Sequence, residues 1–453
     1  MAGKSSIKFN AGDKVKISAN DKSYEGIVMP QESNSSVFLK LKTGYNVGIN
    51  LTNVTEVKIL EKARPKPEKK LESIKKDKNK KTIAVLHTGG TIASKIDYES
   101  GGVTAKFDVE DLLNLVPELK EIANIETNQV ANIMSENIRF SFYKTLADAV
   151  KKYIDIGNNK RSVDGIIIGH GTDTLQFTAA ALSFMFNNLP IPVLLVGSQR
   201  STDRGSTDAR INLIGAAKFI DKTDFKGVAI CMHESTNDEY CAILSGTKTK
   251  KFHTSRRDAF KTVNDTPIAR VHIKSGKIEY LNENYSKLTS GKLESKDKFE
   301  EKVGICQVYP NMLPEVFDFY REKKYKGLVI EGTGLGHMPM LTGKNLTGKN
   351  KAGREDILDA LKKLIDSGCV CVMTSQAVFG KVMMDVYTNL RKLKDAGVVS
   401  GEDMLTETAF IKLAWLLGNC PNKTEKDREE IKRLVTENLR GEINNRILVD
   451  GYL

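Results

Sequence analysis

The chain has 453 residues, 40% of them hydrophobic, and a formal charge of +12. That length exceeds one small domain and predicts two or three, and the charge permits an RNA or other acidic partner without requiring one. Six cysteines occur with no CxxC pair and no metal-ligand spacing, which argues against a zinc or disulfide framework and predicts reduced core thiols.

The opening residues, MAGKSSIKF, carry no apolar run of the export-signal type, and no stretch is long and apolar enough to span a bilayer. A cytoplasmic protein with no membrane partner is expected. Residues 1–60 read as a separate all-β module: DKVKI, YEGIVMP, SVFLKLK and YNVGIN are short, apolar or alternating, and Asn20-Asp21 and Thr43-Gly44 supply turns. Such a set suits a small SH3-like barrel whose role would be docking. Residues 61–81, EKARPKPEKKLESIKKDKNKK, are rich in lysine and poor in apolar side chains. They read as a solvated linker, the sharper alternative being a segment that neutralises an RNA backbone.

From Thr82 the pattern changes to α/β. Strands are predicted at 83–87, 125–134, 164–169, 192–197, 226–232, 302–308, 326–331 and 369–374. Helices are predicted at 108–116, 141–156, 173–187, 207–220, 314–323, 355–367 and 402–418. Alternation of this kind predicts parallel sheets covered by helices. A new strand-helix series begins near Tyr309-Pro310-Asn311, dividing the region into a larger domain at 82–300 and a smaller one at 301–453.

Two stretches carry chemistry. Ile83 to Ser94 reads IAVLHTGGTIAS: a strand buried on both faces, then a double-glycine turn that delivers Thr91. Asp164 to Gln176 reads DGIIIGHGTDTLQ: a second buried strand whose turn delivers Thr172 and Asp173. In open α/β sheets, ligands bind at the carboxyl ends of strands. Hydrolysis of a side-chain amide needs a hydroxyl nucleophile, a group to take its proton and donors for the oxyanion. No histidine pair has metal-ligand spacing, so no metal is expected.

TGGTIAS together with HGTDT resembles the asparaginase/glutaminase family of the bacterial type, over about residues 82–453. The resemblance implies an asparaginase-like two-domain parallel-sheet fold behind the barrel. It implies that Thr91 is the primary nucleophile and that Tyr98, in KIDYESGGV, is the activating tyrosine of a lid. Thr172 and Asp173 match the second threonine and its acid, Asp173 also receiving the substrate's α-amino group. Lys251, which opens KFHTSRRDAFK, matches the lysine partnered with that threonine; its spacing to Thr254 and Phe260 selects it over Lys248 and Lys250. Ser135, in IMSENI, matches the serine that receives the α-carboxylate. His87 and His170 adjoin the motifs and are expected to be structural.

Two positions depart from ordinary asparaginases. Glu136 follows Ser135 where Gln is common, and His337, in EGTGLGHMP, stands where Asn is usual. Both would line the amino-acid end of the substrate site. With the barrel, the linker, TSRRDAF and SQRSTDR, they resemble the D-subunit subfamily of archaeal glutamyl-tRNA(Gln) amidotransferases. That resemblance implies a glutaminase that passes ammonia to an E subunit, which holds the mischarged tRNA(Gln) and uses ATP and Mg. It further implies a homodimer of this chain flanked by two E subunits, and no cofactor in this chain. A free cytosolic L-asparaginase and a non-catalytic scaffold are the alternatives. The departures count against the first, and the intact Thr91, Thr172, Asp173 and Lys251 count against the second.

Overall fold

A computed structural model describes the chain apart from residues 1–8, 11, 30–35, 42–45, 63–75, 90–94, 97–102, 105–115, 155–160, 201–206, 283–284, 286, 288–291, 341–355, 448 and 450–453. The expected helix at 108–116, most of the linker, the Thr43-Gly44 turn, Thr91 and Tyr98 lie outside the described residues. The chain forms two compact units, residues 1–77 with 93–107 and residues 78–92 with 108–453.

In the first unit, five strands form one antiparallel sheet in the order Asn46–Asn50, Ser36–Leu41, Lys22–Val28, Lys14–Ala19, Val54–Glu61. Alternation does the sorting: Val15, Ile17 and Ala19 point inward, while Lys14 and Lys16 point to water. Val28, Val37, Leu39 and Ile49 complete the small core of this barrel-like module. Asn20 and Asp21 both take positive φ, +48° and +60°. Tight hairpins need that conformation, and short polar side chains tolerate it.

The second unit is built on two main sheets, of eight and four strands. In the larger, Thr82–His87 lies between Asn124–Gln129 and Gly165–Gly169, and the parallel order continues through Pro192–Val196 to Gly227–His233. Ile83, Ala84, Val85 and Leu86 are all fully buried, as an apolar run covered on both faces requires. Helices Phe140–Lys151, Leu175–Met185 and Ala209–Lys222 supply the cover. Three further strands, Tyr240–Ser245, Ala269–His272 and Ile278–Tyr280, extend the sheet antiparallel. Residues 234–239 are too few for a parallel crossover, so the chain turns back on itself.

The smaller sheet is parallel throughout: Val303–Gln307, Gly327–Gly332, Val370–Ser375 and Val399–Ser400. The two sheets share one core. Val329, Val372 and Trp415 belong to the same buried cluster as Ala84, Ile166 and Phe184. Phe184 stacks on Trp415 at 5.7 Å, and the Trp415 indole N–H donates to Lys296 O at 2.9 Å. Helix Leu175–Met185 is therefore buried nearly all round, wedged between the first sheet and helix Thr406–Asn419. All six cysteines are free thiols, five of them buried, and burial pushes the Cys306 thiol up to about 11.

The end of the chain returns onto this body. Lys412, fully buried, pairs with the equally buried Glu442 at 2.6 Å and donates to Val435 O at 2.8 Å. Glu442 also accepts the Leu439 and Arg440 N–H groups at 2.9 and 2.6 Å. Breaking such a pair from one side strands the other charge and costs about 3–5 kcal/mol. Glu442→Ala is expected to lower stability by about that amount, read as a shift in the denaturant midpoint; a shift under about 1 kcal/mol would contradict the pair's assigned weight.

Candidate active site

The carboxyl ends of Thr82–His87 and Gly165–Gly169 lie side by side, His87 opposite Gly169. Just beyond, Thr88 binds Gly169 O through both its N–H and its hydroxyl, at 3.1 and 2.9 Å. Gly89 follows with φ +104°, and a Cβ there would sit 2.6 Å from Ile133 N. Only glycine fits, two residues before Thr91 in the sequence.

At the neighbouring strand end the chain runs His170-Gly171-Thr172-Asp173 into helix Leu175–Met185. The His170 ring donates from Nδ1 to Gly171 O at 2.7 Å and accepts the Thr178 hydroxyl at Nε2 at 2.9 Å. Burial lowers its pKa to about 4, and that of His87 likewise to about 4. Both imidazoles are neutral at ordinary pH, and His170 spends both ring nitrogens on holding the loop.

Lys251 comes from a two-strand hairpin, Thr249–Lys251 against Phe260–Thr262. Its ammonium donates to Thr172 Oγ1 at 2.9 Å and to Asp173 Oδ1 at 2.8 Å. The Lys251 side chain is 11% exposed and that of Asp173 67%. The carboxylate therefore faces outward from a sheltered cation. Strand alternation separates the three lysines of KTKK. Lys248 and Lys250 point to the other sheet's side, onto Asp403 and Glu407, while Thr249 and Lys251 point away from it.

Ser135 opens the short turn Ser135–Asn137 and is buried. It lies against Gly171, where a Cβ would meet Ser135 Oγ at 2.8 Å. The Thr174 hydroxyl donates to Ser135 O at 2.7 Å. Glu136, beside it, is exposed. The fold thus gathers Ser135, Thr172, Asp173 and Lys251. His337 belongs to the smaller sheet: its N–H and C=O bond Thr333 at 2.8 Å each, and its ring meets Tyr387 edge-on at 5.1 Å. Among the described residues no hydrogen bond joins it to Lys251 or Ser135.

Sequence reasoning missed three supports. Thr174 holds Ser135, as above. Asp208, fully buried, accepts from Ser198 Oγ and from the Gln199 and Arg200 N–H groups at 2.9–3.0 Å, fixing the loop after Pro192–Val196. Gly197 leaves room for Thr172: a Cβ there would lie 2.7 Å from Thr172 Cγ2 and 3.0 Å from Leu175 Cδ1. The usable signal is position, a Gly-Ser pair at the carboxyl end of a fully apolar strand. Gly197→Ala is expected to push Thr172 off Lys251, at an overpacking cost of about 1–3 kcal/mol. A crystal structure of the variant checks this; an unaltered Lys251–Thr172 hydrogen bond would contradict it.

The chain matches the family "Asparaginase, N-terminal" over residues 82–286 and the "Glutaminase/Asparaginase C-terminal domain" over 302–434. The "GatD N-terminal domain" matches residues 9–60. It is 44% identical to the glutamyl-tRNA(Gln) amidotransferase D subunit of Pyrococcus furiosus, over 96% of this chain and 93% of that one. With the same amidotransferase's D subunit from Methanococcus maripaludis the identity is 42%, over 96% of this chain and 98% of that protein. Among solved structures it resembles the thermostable L-asparaginase from Thermococcus kodakarensis, with TM-score 0.68 and 31% identity over 81% of this chain and all of that one. L-asparaginase I from Vibrio cholerae gives TM-score 0.66 and 27% identity, over 81% of this chain and 99% of that one. With its full-length relatives, its N-terminal module and its asparaginase-type body, the chain belongs to the family of glutamyl-tRNA(Gln) amidotransferase D subunits.

Proposed function

We propose that this chain is the glutaminase of a tRNA-dependent amidotransferase. It hydrolyses glutamine to glutamate and ammonia, and an E subunit uses the ammonia, with ATP and Mg, to convert Glu-tRNA(Gln) to Gln-tRNA(Gln). The observation that carries the reading is the Lys251 ammonium held between Thr172 and Asp173 beside buried Ser135. The working unit is a cytoplasmic homodimer of this chain with E subunits, and tRNA is held mainly by the partner.

In this reading a threonine hydroxyl, Thr91 or Thr172, attacks the carboxamide carbon. Its proton leaves towards a proton-holding group, Lys251 for Thr172 and Tyr98 for Thr91. A neutral lysine amine could accept the Thr172 proton along the same 2.9 Å contact through which the ammonium donates. The C–N bond breaks, ammonia leaves with a returned proton, and water then cleaves the acyl ester to release glutamate. Asp173, exposed to 67%, faces the substrate's ammonium, and Ser135 receives its carboxylate. Glu136 and His337 tune the amino-acid end for glutamine. A single methylene separates glutamine from asparagine, worth only about 1–3 kcal/mol by fit alone, so polar placement must contribute to any larger preference.

A free L-asparaginase is the second reading, favoured by the likeness of the body to two L-asparaginase structures. Ammonia release from glutamine and asparagine, with and without the E subunit and Glu-charged tRNA, separates the two. The proposal expects glutamine-dependent release coupled to transamidation; asparagine turnover indifferent to tRNA would contradict it. Thr172→Val and Thr91→Val should each lower release by several powers of ten, while amidation by the complex from free ammonium salts survives. Glu136→Gln with His337→Asn should shift the kcat/KM ratio towards asparagine, and an unchanged ratio would remove both residues from the specificity account.

A further inference from the structure

Lys251 stands on a hairpin that forms a sheet of only two strands. A two-stranded ribbon is marginal by itself, so its position is set by what it packs against. On one side Phe260, fully buried, anchors it in the core. On the other, its base is tied to the smaller sheet's side by buried polar groups. Lys248 donates to Asp403 Oδ2 at 2.8 Å, their side chains 2% and 0% exposed. Asp403 Oδ1 accepts Asn444 N–H at 2.9 Å. Lys248 O accepts Val263 N–H at 2.8 Å, continuing the hairpin ladder.

Asn264 ends the second strand's ladder and crosses the same seam. Its amide donates to Asp403 O at 3.1 Å and to Gly380 O at 3.0 Å, and its Oδ1 accepts Gly380 N–H at 2.8 Å. Its own carbonyl accepts the Asn444 amide at 2.6 Å. It does this at φ +57°, a conformation Asn tolerates and most side chains resist. Lys250, on the same strand face as Lys248, adds its ion pair with Glu407. Breaking a buried pair leaves a charge without its partner, so the strand must shift or admit water. Lys251 lies three residues beyond Lys248, at the end of the short strand Thr249–Lys251, and a misplacement of about 1 Å at a reacting group can cost about 100-fold in rate.

We propose that Asp403, through its buried pair with Lys248, and Asn264, through its bridges to Gly380 and Asp403, are positioning residues that set Lys251 against Thr172. The proposal rests on the reading of Lys251 as part of the hydrolytic site. It makes the register of the smaller sheet's side a determinant of turnover on the larger one.

The test uses the full chain in complex with its partner subunit and Glu-charged tRNA. Asp403→Asn, at a temperature where circular dichroism shows the variant folded, should lower kcat for ammonia release from glutamine about 10–100-fold. KM should change less than about twofold, because the substrate-facing groups are intact. Asn264→Gly keeps the positive φ, removes the side-chain bridges and should act in the same direction; it also serves if Asp403→Asn fails to fold. Labelling of Lys251 by an amine-acylating reagent, followed by peptide mass spectrometry, needs no assumption about substrate and should be several-fold faster in both variants. Folded variants with wild-type kcat and wild-type labelling would overturn the proposal. If the unmodified complex releases no ammonia from glutamine, the hydrolytic reading falls, and an unchanged labelling rate would then overturn the positioning claim by itself.

Discussion

One ammonium organises this molecule. Lys251 reaches a hydroxyl and a carboxylate at once, and both come from the same turn at the end of a central strand. That arrangement is demanding. The turn must pack closely against its neighbours, which is why glycines stand at 171, where a Cβ would strike Ser135, and at 197, where it would strike Thr172. The cation must be sheltered enough for its hydrogen bonds to be strong, yet its carboxylate must face outward. The parallel sheet meets the first demand by ending its strands in register, and the hairpin meets the second by bringing a lysine in from the side.

The two main sheets of the larger unit share one core, and the hairpin bonds to the sides of both. Its apolar face is seated in the common core, and its polar face is bonded to residues 380, 403 and 407. Buried ion pairs such as Lys248–Asp403 and Lys412–Glu442 are weak evidence for net stability, because desolvation offsets much of their attraction. In the positioning proposed above, their value is geometric. A cation that finds its partner in one place selects one register, where apolar packing tolerates several.

Much of this was legible in the sequence. The runs Ile83–Leu86 and Ile166–Ile168 are too apolar to face water on either side, and both are fully buried strands. The glycines after them mark the turns, and the second turn carries Thr172 and Asp173. Lys251 was separable from Lys248 by spacing, and the period of a strand supplies the physical reason. Other features carried no pattern. Lys248 and Lys412 look like any solvated lysine until the fold brings their partners beside them, Asp403 from 155 residues away in sequence and Glu442 from the returning end of the chain. Helix Glu425–Thr436 is polar enough to pass for a loop, although Thr424 and Asp427 form a capping box that marks its start. No strand is among those predicted at Tyr240–Ser245, although Cys241–Leu244 forms a buried apolar run; the short connection before it was the clue to its antiparallel direction.

In the proposed reaction a threonine of this site becomes acylated during turnover. The direct measurement is peptide mapping after reaction of the complex with a glutamine analogue bearing an electrophilic carbon in place of the amide. A single covalent adduct is expected, on Thr91 or Thr172, and an adduct on Thr172 should form much more slowly when Lys251 is changed to Met. An adduct on one of the cysteines, or labelling of Thr172 at an undiminished rate without Lys251, would contradict it.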